Sequence, residues 1–374
     1  MFSFSSVTVK AATTTARSSL ILRHLSTTTR RMSLPDRMKA IIIPKHGDVD
    51  VIELADVPLP TQQPGEALIK VGYAGVNFID TYMRKGLYPA QSFPFRIGQE
   101  SSGTVIRPPS DASVLAEEEF KKRGIKEGAK VIARYTGSFA EYISVPWKDV
   151  HSLPSNIPLR DGAALIIQGL TALTFATEAH NIQAGETILI HTIAGGLGLI
   201  LAQIAKARGA TVIGTTSTEE KAQFAKTHTG ADHIILYTKE DTVKRVLEIT
   251  QGEGVHAVFD GVGKDTFDSN FEMLRRKGTL VSLGNASGPV PPFAPLKLTP
   301  KNIKLLRPTV ANYIYTPSEF SHYVETFYSL VSSGVVKVKI FKEYAFTAEG
   351  VRQAQIDITG HSTIGKLVVK VSDD

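Results

Sequence analysis

Three glycines stand within four residues in the segment His191-Thr192-Ile193-Ala194-Gly195-Gly196-Leu197-Gly198. The apolar run Thr187–Thr192 leads into it and has strand length, and Gly196–Arg208 behind it reads as a buried helix. Glycines between a strand and a helix let the main chain come close to a pyrophosphate, whose charge then rests on the first amides and the positive dipole end of the helix. Where a G-x-G-x-x-G turn has its first glycine this chain carries Ile193, so the turn has to accept a β-branched side chain beside the ligand. A second strand is expected over Thr211–Thr216. An acid at its end would bind ribose hydroxyls. The chain instead has Thr215, Thr216, Ser217 and Thr218, with Lys221 one turn into the next helix. Hydroxyls and a lysine suit a 2′-phosphate, so the dinucleotide expected is NADP(H) rather than NAD(H).

Other chemistries are absent from the sequence. None of the 374 residues is cysteine, which removes disulfides, thiol nucleophiles, iron–sulfur clusters and thiolate zinc sites. HExxH, GxxxxGK[ST] and G-x-S-x-G do not occur, so the commoner motifs for metal hydrolysis, nucleotide triphosphate use and serine hydrolysis are missing. His24, His46, His151, His180 and His322 have no companions at metal-ligand spacing and read as structural or surface residues.

The surrounding elements fall into two styles. From Lys39 the chain is β-rich, with strands expected at Lys39–Pro44, Glu66–Tyr73 and Lys130–Ile132 and turns at Pro60–Gly65 and Lys126–Ala129. From Asp161 strand and helix alternate. Helix Ser217–Thr229 carries Ser217 and Glu220 at capping-box spacing. Strand His233–Tyr237, helix Asp241–Thr250, strand His256–Val262, helix Asp265–Arg276 and strand Thr279–Asn285 follow. Continuous apolar strands with helical joins imply a doubly wound parallel sheet covered on both faces, a Rossmann-type α/β arrangement. After about Val310 the β-rich style returns, with a helix near Pro317–Ser333 and strands at Val336–Tyr344 and Leu367–Val371. The domains expected are 38–163 with 312–374, a discontinuous β-rich catalytic domain, and 164–311, the NADP-binding domain. Arg107–Gly124, with Glu117, Glu118, Glu119, Lys121 and Lys122, reads as a solvated surface insertion.

The formal net charge is +6. Residues 1–35 hold Lys10, Arg17, Arg23, Arg30 and Arg31 and no acid, so the rest of the chain is nearly neutral. Residues 1–35 are Ser/Thr-rich, Arg-spaced and acid-free, and the segment 1–37 that contains them is expected to be a mitochondrial presequence for the matrix. Met32 and Met38 would permit an internally started cytosolic form. The longest apolar stretch, near residues 187–205, is broken by His191, Gln203 and three glycines, and is no membrane span.

Taken together, Ala74-Gly75-Val76-Asn77-Phe78-Ile79-Asp80-Thr81-Tyr82, Gly86-Leu87-Tyr88-Pro89, Gly98-Gln99-Glu100, Gln168-Gly169-Leu170-Thr171, the Ala194–Gly198 turn, Asp260-Gly261-Val262-Gly263 and Leu283-Gly284-Asn285-Ala286-Ser287-Gly288 carry a resemblance. Over residues 38–370 the chain resembles the quinone oxidoreductases, the zeta-crystallin-like, zinc-free branch of the medium-chain dehydrogenase/reductases. The resemblance implies a GroES-like catalytic domain beside the Rossmann domain, an active site in the cleft between them, and homodimers formed through the cofactor domain. It implies NADPH-dependent reduction of quinones, by hydride or one-electron transfer, or of other α,β-unsaturated carbonyls, without flavin or metal. By matching motifs, Tyr88, Ala194, Gly195, Gly196, Leu197, Thr216, Ser217, Lys221, Tyr237, Leu283, Gly284 and Asn285 would line the cofactor. Asn77, Tyr82 and Tyr88 would face its nicotinamide end. The chain departs from several relatives in having His361 where they carry an arginine, and Ile193 and Val262 are further apolar variations at the cofactor cleft.

Carbonyl reduction needs a held donor carbon, stabilisation of charge on the substrate oxygen, and exclusion of water. Asn77 and Tyr82 can hydrogen-bond that oxygen without ionising, and Tyr88 is a candidate proton donor, although both tyrosines also suit plain wall packing. Asp80, three residues after Asn77, reads as a cap of its own loop. One alternative is a mitochondrial 2-enoyl-thioester reductase. Another, of a different class, is an AU-rich RNA-binding protein, for which the near-neutral body lacks a concentrated basic face.

Overall fold

In the computed structural model the residues described are 34–90, 92–360 and 362–373. The first 33 residues of the expected presequence lie outside them, and so does His361.

Six parallel strands form one sheet. Their spatial order is His233–Leu236, Thr211–Thr216, Thr187–Ile190, Val255–Asp260, Leu274–Ser282 and Lys304–Leu306. The pleat sends alternate apolar residues to opposite faces. Ile188, Ile190, Val212, Phe259 and Val281 pack on one side with helix Gly196–Ala207. Leu189, Ile213, Ile235, Val258 and Leu280 pack on the other. Burial on both faces is why these strands are continuously apolar. The order reverses between Thr187–Ile190 and Val255–Asp260, and a doubly wound sheet opens a crevice at the carboxyl ends of its strands at such a point.

The second body of structure is a seven-stranded sheet. It runs Ile340–Ala345, Lys366–Lys370, Glu66–Val76, Glu100–Arg107, Lys130–Arg134 and Val150–Ser152, with Tyr142–Pro146 also pairing to Glu66–Val76. Strands from both ends of the chain meet where Leu367–Lys370 pairs antiparallel to Tyr73–Val76. A three-stranded sheet, Glu53–Pro58, Arg37–Ile43 and Phe95–Arg96, lies beside it.

Several elements differ from expectation. The parallel sheet has a sixth strand, Lys304–Leu306, too short for periodicity to reveal. Helix Asp265–Arg276 is shortened to Phe267–Met273, and the next strand begins at Leu274 and ends at Ser282 instead of spanning Thr279–Asn285. That strand pairs through Val255/Leu274, shifts register, and takes a left-handed residue at Lys277 (φ 66°) before resuming at Ala257/Thr279. The strand expected at Val336–Tyr344 is Ile340–Ala345. Helices Phe78–Lys85, Ile166–Thr174 and Ala348–Thr359 were not anticipated.

Arg107–Gly124 is not simply solvated. Its charged residues face water, but Val114 and Phe120 are buried and Arg123 is completely buried. The Arg123 guanidinium donates to the carbonyls of Trp147 (3.1 Å), Lys148 (2.6 Å), Val150 (2.9 Å) and Pro317 (2.5 Å) and to Ser321 Oγ (3.0 Å). Burial pushes its pKa down to about 10, with Glu119 opposing, so it stays charged at neutral pH. The insertion thereby pins helix Pro317–Ser332 to the β-rich sheet.

Candidate active site

A cleft of about 1180 Å³ opens at the switch point of the parallel sheet. Thirteen residues singled out from the sequence line it: Asn77, Tyr82, Tyr88, Ala194, Gly195, Gly196, Leu197, Thr216, Ser217, Lys221, Tyr237, Leu283 and Gly284. Asn285 joins them through its backbone amide, which donates to Tyr82 Oη at 3.2 Å.

The turn after strand Thr187–Ile190 is tight. Thr192 takes φ 54°, and Gly195 is the N-cap of helix Gly196–Ala207. A Cβ on Gly198 would lie 2.6 Å from Thr192 O, a backbone atom that cannot easily move, so this position needs glycine, whereas one on Gly196 would meet only the end of the Gln168 side chain, at 2.1 Å from its Oε1. Ile193 does not disturb the ligand face as expected. It is fully buried, and its side chain packs over Gly214 of the neighbouring strand. The first amides of a helix have no intrahelical partner, and here they open on the cleft beside Gln168 Oε1, a buried acceptor with no partner. That donor set fits the pyrophosphate of a dinucleotide. From the other side Gly365 N donates to Ala194 O at 3.1 Å, so the tail of the chain is tied to this turn.

At the outer end, the expected Ser217/Glu220 capping box is replaced. Helix Glu219–Thr229 is capped by Thr218, whose Oγ1 accepts from Lys221 N at 3.3 Å. Thr218 is the last residue with extended dihedrals, which makes it the cap and leaves Ser217 on the cleft wall. Lys221 and Tyr237 stand beside Ser217 along the same cleft. Partial burial lowers the Lys221 pKa, with Glu220 opposing.

At the inner end lies a buried polar cluster. Glu100 and Lys366 form an ion pair at 2.6 Å, with side chains at most 1% exposed. Lys366 Nζ also donates to Asn77 Oδ1 (2.7 Å) and Val76 O (3.0 Å). Glu100 accepts from Asn77 Nδ2 and from Ile167 N, both at 2.7 Å. Asn77 is therefore turned toward this pair, and its carboxamide is not the oxygen-binding donor expected from the sequence. Asp80 accepts from Asn77 N at 2.8 Å, the loop cap anticipated for it. Burial raises its pKa to about 7. Tyr82 and Tyr88 meet edge to face at 5.7 Å. Burial raises the Tyr82 pKa, against the Asn285 N–H.

Three further participants escaped sequence reasoning. Lys366 and Arg307 sit in stretches without motif character. His191, at the end of its strand, is buried, with Nδ1 3.0 Å from Thr215 Oγ1 and Nε2 2.8 Å from Asn270 Oδ1. Asn270 in turn donates to the buried Asp260 (2.9 Å), which accepts from Val262 N and Thr266 Oγ1. This network ties together the ends of three strands below the cleft. A polar residue at the carboxyl end of an apolar parallel strand was the available signal.

Residues 63–155 match the alcohol dehydrogenase GroES-like domain and 196–329 match the zinc-binding dehydrogenase family. A probable quinone oxidoreductase of Schizosaccharomyces pombe is 35% identical over 334 residues, covering 89% of this chain and 97% of that protein. A quinone oxidoreductase of Pseudomonas aeruginosa is 35% identical over 333 residues, covering 88% and 99%. The chain belongs to the quinone oxidoreductase family. Among solved structures, the quinone oxidoreductase of Escherichia coli complexed with NADPH superimposes with a TM-score of 0.83 at 33% identity, covering 89% of this chain and 99% of that one. This chain has no cysteine with which to build a thiolate zinc site. Among the described residues no three or more His, Asp or Glu side chains converge on a possible metal site. A 2-haloacrylate reductase of Burkholderia sp. is 30% identical over 336 residues, 88% of this chain and 98% of that protein.

Proposed function

We propose that this chain is an NADPH-dependent reductase of quinones that also accepts other α,β-unsaturated carbonyls. The observation that carries the reading is the single cleft in which the Ala194–Gly198 turn, the Ser217/Lys221/Tyr237 group and the Tyr82/Tyr88 pair follow one another. When bound, the nicotinamide supplies the hydride. The turn and helix Gly196–Ala207 hold the pyrophosphate, while Ser217 and Lys221 hold the 2′-phosphate. Tyr82 Oη accepts from Asn285 N–H, which leaves its own O–H to donate to a substrate oxygen. Phe78, Ile79, Val310 and Ile358 give that end an apolar wall that excludes water. The similarity to a 2-haloacrylate reductase supports the wider substrate class.

A screen of NADPH oxidation over 1,2-naphthoquinone, enals and crotonyl thioester tests the reading. Turnover is expected with quinones first and enals second. Turnover confined to the thioester would overturn it in favour of an enoyl-thioester reductase, and inactivity with all three would remove it. To the same reading belong matrix import by residues 1–37 and a homodimer formed through the cofactor-binding domain. The basic stretch 1–35, which holds no acid, and the edge position of strand Lys304–Leu306 support these two points. A fluorescent fusion that remains cytosolic, or a monomer mass by sedimentation, would remove the respective point. Among the described residues no helix is long and apolar enough to cross a membrane.

A further inference from the structure

Arg307 follows the short edge strand Lys304–Leu306, distant in sequence from every motif of the cleft, yet it lines the cleft wall. Its Nη1 donates to Ser282 O at 2.9 Å and to Gly284 O at 3.1 Å. With the Asn285 carboxamide oriented to satisfy its hydrogen bonds, Asn285 Oδ1 accepts from Arg307 Nη2 at 2.9 Å, and Nδ2 donates to Gly284 O at 3.0 Å. One planar fork thus grips three points on the turn 282–285. Lysine cannot reproduce this grip, because its ammonium is a single point of charge. The turn delivers one group across the cleft: Asn285 N–H, which donates to Tyr82 Oη at 3.2 Å.

The geometry points to Arg307 as a positioning residue for Tyr82, acting through Asn285 to set the direction and strength of the phenol's hydrogen bond to the substrate oxygen. This deepens the reductase reading and rests on it for the identity of the substrate. Two effects combine. The guanidinium fixes the turn, so the Asn285 N–H occupies one lone pair of Tyr82 Oη and the phenol hydrogen is left for substrate. Its positive charge also favours negative charge on that oxygen, and a phenol so polarised is a stronger donor to a developing oxyanion. The groups facing the phenol are consistent with this. Burial and Tyr88 raise the Tyr82 pKa, whereas the Asn285 N–H and Arg307 lower it.

The test uses the full chain as wild type, Arg307→Met, Arg307→Lys, Tyr82→Phe and Arg307→Met with Tyr82→Phe. Turnover of NADPH with 1,2-naphthoquinone is read beside the NADPH dissociation constant. In addition, the Tyr82 ionisation is read without cofactor, as the tyrosinate absorbance difference between each chain and its Tyr82→Phe counterpart. Arg307→Met should lower kcat roughly tenfold, the order expected of one charge-assisted hydrogen bond at 1.4 kcal/mol per decade. In the Tyr82→Phe background the same substitution should change kcat by less than about twofold, since an effect carried through Tyr82 disappears with it. The Tyr82 titration should move to higher pH in Arg307→Met and stay nearer wild type in Arg307→Lys. Equal losses of kcat in both backgrounds, a matching loss of NADPH affinity, or an unmoved Tyr82 titration would each overturn the proposal. If wild type turns over no quinone, the substrate reading fails, and the titration alone decides the role of Arg307. Should Arg307→Met not fold, Arg307→Gln carries the same comparison, because it too loses both the charge and the fork.

Discussion

The two ends of the cleft are assembled in opposite ways. At the outer end Ser217, Lys221 and Tyr237 come from one strand–helix–strand unit, and Tyr237 is 46% exposed. At the inner end Asn77, Glu100, Ile167 and Lys366 come from four separate parts of the chain, and the Glu100–Lys366 pair is sealed from water. A charge at the outer end remains partly solvated, so its worth lies in what it binds. A charge at the inner end has lost its hydration and depends on its partner for compensation. The same cleft therefore holds residues that act on ligand affinity at one end and residues that act first on folding at the other.

The strongest way to break this contrast is Lys366→Met. It leaves the Glu100 carboxylate buried without its cation, which should cost about 3–5 kcal/mol of stability. Adding Glu100→Gln should restore much of that loss, because the neutral amide no longer needs the cation. Chemical denaturation of both variants checks this. A single-variant loss below about 1 kcal/mol would show that the inner pair is no more demanding than a surface pair.

Asp80 sharpens the contrast through pH. Its folded pKa, raised by burial to about 7, lies above the unfolded value near 3.8. Between these values the folded protein keeps a proton that the unfolded chain has released. Stability should therefore fall as pH rises through this window, by at most about 4 kcal/mol at 1.36 kcal/mol per unit, and the cost is fully present above about pH 7. Asp80→Asn can still accept from Asn77 N–H and should abolish the slope. It should be more stable than wild type near pH 8 and no more stable below about pH 4. Parallel stability–pH curves for the two proteins would refute the assignment.

At the outer end the effect is smaller and specific to the ligand. Lys221→Ala should weaken NADPH binding by roughly ten- to a hundred-fold, from a charge-assisted contact of about 1.5–3 kcal/mol. NADH binding and the unfolding midpoint should hardly change. Quenching of nucleotide fluorescence measures both dissociation constants. Equal losses for the two cofactors, or a wild type that prefers NADH, would end the distinction drawn here between the two ends.

What could be read from the sequence follows the same division. The parallel sheet was legible because strands buried on both faces must be continuously apolar, and five of its six strands have that signature. The glycine turn and the Ser217–Lys221 group were legible because each is a local arrangement, set by neighbours a few residues apart. Asp80 was legible as a cap for the same reason. Even there the backbone made the final choice, since Thr218 rather than Ser217 caps the helix. Asn77 was found, but its role depended on Lys366, which lies 289 residues away in sequence. Arg123 looked like one more charge in a solvated run and became a buried clamp on helix Pro317–Ser332. Arg307 and His191 were missed for a common reason. A side chain's hydrogen-bond partners are set by distance in space, and composition and periodicity report only what lies along the chain. The sequence by itself determined the architecture and the ligand-facing turn, because helix and strand periods and glycine sterics act within a few residues. Only the tertiary structure decided which charges are paired and which donors remain for chemistry, because desolvation makes a buried charge depend on groups brought to it from elsewhere in the fold.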